Sequence, residues 1–233
     1  MLLRLAGQSD KSNDQEAENM SYLTFHSKKI FYKEAGHGKP LVMLHGDTAS
    51  SVMFEFLLPL YQEHFRVILL DFLGNGQSDR VRLFPADLWL SQAEQVIALI
   101  EHMHIGKVNI LGTSGGALIA VNTALKRPDL TEKVIADSFD GRTLHETFAE
   151  DLLKERRAAM QDPSARQFYQ WCQGEDWESR EDTMCRRNME EEYLEMSRLV
   201  QDGSIHMFQT GGHPSILTNA ELSARVITEF IYR

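Results

Sequence analysis

The chain is predicted to be an α/β protein built on a mostly parallel, doubly wound sheet. Three observations carry that expectation. Short continuous apolar runs end in glycine, as in LVMLHG (41–46) and RVILLDFLG (66–74), the pattern of strands buried on both faces. Other stretches place apolar residues at i, i+3, i+4 and i+7, the spacing of one helix face. The two kinds alternate along the chain, which favours parallel strands joined by right-handed crossovers.

In chain order, QSDKSNDQEAEN (8–19) is polar and without periodicity and reads as part of a leader, residues 1–20, outside the fold. SYLTFHSKKIFYKEAG (21–36) holds two short strand-like runs around residues 27–29. After LVMLHG comes a helical pattern, MFEFLLPLYQEH (53–64), then RVILLDFLG, then a longer helix, DLWLSQAEQVIALIEHM (87–103). A strand VNIL (108–111), a small-residue helix after Ser114 and a strand KVIADSF (133–139) complete a first core segment, residues 21–141. From 142 to 178 the pattern is of charged helices such as TLHETFAEDLLKERRAAM, a helical cap. A second core segment, 179–233, contains SIHMFQ (204–209), GGHP and a closing helix, AELSARVITEFIYR.

Composition bounds the function classes. The chain has 233 residues, 42% hydrophobic and 25% charged, enough for one compact domain with a full core. Its formal net charge of −10 opposes nucleic-acid phosphates and anionic membrane surfaces, so neither is an expected partner. No uninterrupted apolar run approaches the roughly 20 residues of a membrane span, and MLLRLAG is too short for a signal-peptide core. Cys172 and Cys185 lack metal-like spacing and read as free thiols of a reducing compartment. The expectation is a soluble cytoplasmic protein.

The stretch VNILGTSGGALIAV then raises a question of chemistry. Ser114 stands between a strand and a small-residue helix, fenced by Gly112, Gly115 and Gly116, where an ordinary turn needs one glycine. A strand, G-x-S-x-G, helix sequence reverses the chain so sharply that the middle residue is strained and side chains at the glycines would collide. It lifts a hydroxyl to the carboxyl edge of the sheet and points the helix N-terminus at any developing anion. Ser114 is therefore the candidate nucleophile.

Three further stretches extend this pattern: LVMLHGDTASSVMF, DFLGNGQSDR with its D-x-x-G-x-G-x-S spacing, and GGHPS. With the elbow, they make residues 21–233 resemble the α/β-hydrolase superfamily, in the serine-esterase branch with a small helical cap. The resemblance implies an oxyanion hole formed by the N–H groups of Asp47 and Gly115, with His45 and Gly46 organising the loop. It implies His213 as general base and, from SREDTMC (179–185), Asp182 as the acid, with Asp137 or Asp140 at the end of KVIADSF as alternatives. The remaining histidines, at 26, 37, 64, 102, 104, 145 and 206, lie in polar or helix-end contexts and receive no catalytic role. No cofactor or metal is implied. A small or medium carboxylic ester is the expected substrate, while amides, thioesters, lactones and carbon–carbon bonds, or a silent ligand-binding protein, remain alternatives. Phe148, Phe168, Tyr169 and Trp171 of the cap read either as an acyl pocket or as cap core.

One element of the family's order is missing. The penultimate strand, which should precede the SREDTMC loop, is absent, because QFYQWCQGEDWE runs directly into it. Either SIHMFQ pairs directly with KVIADSF, or a segment of roughly 30 to 50 residues belongs near Trp177–Asp182.

Overall fold

The computed structural model describes residues 19–138, 161–173 and 214–233, together with 154, 157, 158 and 208. The chain enters through a hairpin, β1 (Asn19–Phe25) and β2 (Lys28–Ala35). His26 and Ser27 form its two-residue turn, both at positive φ (47° and 65°), which matches the right-handed twist of the flanking strands.

Next come β3 (Lys39–Leu44), a 3-10 helix (Ser51–Leu57), α1 (Leu58–Tyr61) and β4 (Phe65–Leu70). The single helix expected over 53–64 is broken into a 3-10 turn and a short α-helix. Pro59 explains the break, since it has no N–H to bond back to Glu55 and can only begin a new helix. The Leu58 N–H closes the 3-10 turn on Glu55 O instead.

The core continues through α2 (Leu88–Met103), β5 (Val108–Thr113), α3 (Gly115–Lys126) and β6 (Thr131–Asp137). Helix α2 stops where His104 turns left-handed, at φ 52°. Farther on lie α4 (Pro163–Gln173), within the span expected for the cap, then α5 (Ser215–Thr218) and α6 (Ala220–Tyr232).

The strands form one sheet in the order β1-β2-β4-β3-β5-β6. β1, β2 and β4 pair antiparallel, while β4, β3, β5 and β6 are parallel. The apolar runs are continuous because both faces of the central strands are covered. Val42, Leu44, Ile68, Leu70 and Ile110 cluster with Trp89, Val96 and Leu99 of α2 and Leu118 and Ile119 of α3. The alternate residues Leu41, Met43, Val67, Leu69 and Leu111 cluster with Phe54, Leu57 and Tyr61 and with Ile227 and Ile231 of α6. Each such side chain contributes about 1.5–3 kcal/mol on burial, and together they hold the carboxyl edge of the sheet in place.

SIHMFQ, apart from Phe208, and the join at Trp177–Asp182 lie outside the described residues. Among the described residues the sheet ends at β6, whose residues are only half-buried or exposed.

Candidate active site

β5 delivers Ser114 to the carboxyl edge, and α3 begins at the next residue. Ser114 sits at φ 56°, ψ −125°, a backbone conformation costly for any residue with a side chain. Its N–H donates to the Asp137 carbonyl at the end of β6 (2.9 Å), and its carbonyl accepts from Ala117 N–H (2.9 Å). The glycines around it supply clearance. A Cβ on Gly112 would lie 1.9 Å from the Gly116 carbonyl oxygen, and one on Gly116 would lie 2.3 Å from that of Leu44. The elbow is thus pressed between its own helix and the end of β3.

The loop after β3 faces the same serine. A Cβ on Gly46 would stand 3.0 Å from Ser114 Cβ and 3.6 Å from its Oγ. One on Gly115 would meet the Asp47 carboxylate, with Oδ2 at 2.6 Å. Ser114, Gly46, Asp47 and Gly115 therefore lie close together. Thr48 follows at positive φ (58°) and donates its hydroxyl to Asp47 O (2.6 Å), fixing the turn.

His45 is buried beneath this loop. Its Nδ1 lies 2.7 Å from Gly46 O, which only accepts, so the proton is on Nδ1; Nε2 accepts from Phe72 N–H (3.4 Å). Burial lowers its pKa, against the opposing pull of Asp71, the Gly46 carbonyl and Asp47. Both ring nitrogens are thus engaged, one with the loop and one with the main chain beyond β4.

The D-x-x-G-x-G-x-S stretch is a brace for that loop. The fully buried Asp71 carboxylate accepts N–H groups from Ser51 and Gln77, each at 2.7 Å. Ser78 Oγ donates to Asp71 O (2.5 Å) and accepts from Phe31 N–H (2.8 Å), while Asn75 Nδ2 reaches Ala49 O (3.0 Å). Gly76, at φ 45°, leaves room for the carboxylate, whose Oδ2 would lie 2.0 Å from a Cβ there.

His213, Asp182, Asp140 and Phe148 lie outside the described residues. Asp137, one of the alternative acids, is described. Its Oδ2 accepts the Thr113 hydroxyl (2.5 Å), its Oδ1 accepts the Ser215 hydroxyl, and Ile216 N–H lies 3.4 Å from Oδ2. The available signal was an acid at a strand end, a threonine just before the elbow serine and a serine just after GGHP.

In the cap, Phe168 and Trp171 are partly exposed and stack edge-on, with centroids 6.1 Å apart, while Cys172 is buried against the 3-10 helix region. Burial pushes the Cys172 thiol up to about 12, which leaves it without nucleophilic character near neutrality. Among the described residues no three His, Cys, Asp or Glu side chains group as metal ligands. No described helix is long and apolar enough to cross a membrane.

A serine on a strained strand-to-helix turn, facing a glycine loop on a doubly wound sheet, defines a class of fold. Residues 39–174 match the model of the alpha/beta hydrolase fold family, and the chain belongs to that family. It is 32% identical over 109 residues to (E)-2-((N-methylformamido)methylene)succinate hydrolase of Acinetobacter baylyi, covering 46% of this chain and 40% of that protein. It is 30% identical over 129 residues to 2-hydroxy-6-oxo-6-phenylhexa-2,4-dienoate hydrolase of Burkholderia cepacia, covering 52% and 45%. The chain thus spans less than half the length of these curated relatives. A thermophilic esterase from Thermogutta terrifontis shares the fold, with a TM-score of 0.68 at 17% identity over 92% of this chain and 98% of that one.

Proposed function

We propose that the chain is a serine hydrolase that cleaves a small or medium carboxylic ester through an acyl-enzyme. Ser114 attacks the carbonyl, and the N–H groups of Asp47 and Gly115 hold the oxyanion. His213 takes the serine proton, passes it to the leaving alcohol and then activates water, with Asp182 orienting the ring. The proposed setting is the cytoplasm, with a small ester as partner and neither nucleic acid nor membrane, in keeping with the net charge of −10.

The observation that carries this reading is the strained Ser114 at the mouth of β5, directly against Gly46 and beside Asp47 and Gly115. Strain of this kind is kept where the surrounding structure over-determines it, and such places cluster at active sites. A fluorophosphonate probe should label the wild-type chain and leave Ser114→Ala unlabelled. A panel of p-nitrophenyl esters of increasing acyl length then reads the substrate size. Absence of labelling would favour a silent binding protein.

A second reading stays within the family. The two relatives are named for an N-methylformamido-methylene succinate and for an oxo-dienoate, which favours amide or carbon–carbon substrates. Labelling together with failure to turn over any ester of the panel would select it.

A further inference from the structure

Asp137 does more in this structure than end a strand. Its main-chain carbonyl accepts the Ser114 N–H at 2.9 Å, so it touches the backbone of the elbow directly. One carboxylate oxygen accepts the hydroxyl of Thr113, a fully buried residue immediately before the serine, at 2.5 Å. The other accepts the Ser215 hydroxyl at the start of α5, where Ile216 N–H also lies 3.4 Å from the carboxylate. The neighbouring Ser138, at φ 50°, completes the joint by accepting Ser215 N–H on its hydroxyl at 2.6 Å.

Three chain segments distant in sequence therefore meet on one side chain. β6 is the half-exposed edge of the described sheet and α5 is a single turn, joined by packing of the buried Ile216 near Ile135 and by the polar bonds that meet at Asp137 and Ser138. A carboxylate has two oxygens that accept without donating, so it can gather two hydroxyls from different segments in one plane. Charge-assisted O–H···O bonds are short and about twice as strong as neutral ones.

We propose that Asp137 is a positioning residue that clamps the Ser114 elbow to the start of α5. This rests on the serine-hydrolase reading above. Each carboxylate oxygen accepts one hydroxyl, Oδ2 from the elbow and Oδ1 from α5. The clamp fixes the height and tilt of Ser114 against Gly46 and Asp47, on which attack geometry depends. Misplacement of a reacting group by about 1 Å can cost on the order of 100-fold in rate.

The test compares Thr113→Val, Ser215→Ala, Asp137→Asn and Asp137→Ala with the wild type. Three quantities are read: the rate of fluorophosphonate labelling at Ser114, kcat and KM on a p-nitrophenyl ester, and the pH dependence of kcat/KM. Each single-arm variant should label about 10-fold more slowly and Asp137→Ala about 100-fold, with KM within about 2-fold. Thr113→Val in the Asp137→Ala background should add nothing, since the arm it removes has already lost its acceptor. The apparent pKa of the rate profile should be unmoved in Asp137→Asn.

Labelling of Ser215→Ala and Asp137→Asn at the wild-type rate would overturn the clamp. So would a fall in the profile pKa of about one unit or more in Asp137→Asn, since loss of a paired carboxylate destabilises an imidazolium. If Asp137→Ala does not fold, Ser215→Ala decides, because it removes one hydroxyl at a half-buried position. A wild-type chain that does not label overturns the hydrolase reading instead, an outcome distinct from labelling that ignores the clamp variants.

Discussion

Replacing Gly112 by alanine tests how tightly the elbow is built. Gly112 has an ordinary φ, so alanine carries no conformational penalty there and the cost is one of space alone. Its Cβ would lie 1.9 Å from Gly116 O and 2.3 Å from Gly116 C, both backbone atoms of the first turn of α3. Restoring an ordinary contact of about 3.4 Å requires that turn to withdraw by about 1.5 Å. Withdrawal pulls Leu118 and Ile119 out of their cluster and stretches the Ser114–Asp137 bond. Overpacking of this kind costs about 1–3 kcal/mol, and backbone against backbone places it at the upper end. For a domain of this size that lowers Tm by about 6–12 °C, measured by circular dichroism. Gly106→Ala is the control, since nothing lies within 4 Å of its Cβ and only its φ of 72° opposes the change, at about 1 kcal/mol. A Gly112→Ala protein melting within about 2 °C of wild type would refute the account of close packing.

The remaining predictions concern the serine and the two histidines. Ser114→Ala should lower ester turnover by several orders of magnitude with Tm preserved, and retention of most activity would end the nucleophile assignment. Ser114→Gly should raise stability by about 1 kcal/mol in urea denaturation, because glycine enters φ 56°, ψ −125° without strain; no gain would mean that the turn stores none. The unfolded His45 ring takes a proton near 6.5 and the folded one only at lower pH. Unfolding therefore takes up a proton below about 6.5, so stability should fall as pH drops from 7 towards 5, and His45→Gln should flatten that slope. An unchanged slope would remove His45 as its cause. With His213 as base, kcat/KM should rise with pH through an apparent pKa near 6.5 and level off; a flat profile between about pH 5 and 9 would exclude it.

Local sequence carried the central sheet and the elbow because each is written in neighbouring residues. LVML and RVILL read as buried strands since both faces pack on helices, and G-T-S-G-G can close its turn only with those glycines. The break in the helix near Leu58 was also written locally, in Pro59, but the apolar spacing across it masked the proline. What sequence order could not supply was convergence. Asp137, Thr113 and Ser215 are separated by 24 and 78 residues, and nothing in their immediate neighbours says that they meet. Similarly, nothing in DFLGNGQS says that Gly76 makes room for the buried Asp71 carboxylate while Gly74 makes room for Phe84 and Val81. Acid and glycine have the same appearance in a sequence whether they face a ligand or their own backbone.

The peptide unit between Gly46 and Asp47 behaves as a small rigid vane. Its carbonyl is held at one end by the His45 ring, and a trans, planar amide must then send the Asp47 N–H in the opposite direction. Turning that plane by half a revolution would offer a carbonyl oxygen where a hydrogen had been, reversing the sign of the local field. The imidazole thus works as a latch on polarity, deciding which end of a dipole the far side of the loop presents. A second latch lies on the same ring, where Nε2 draws in the Phe72 N–H at the exit of the adjacent strand, so the vane is registered against the sheet itself.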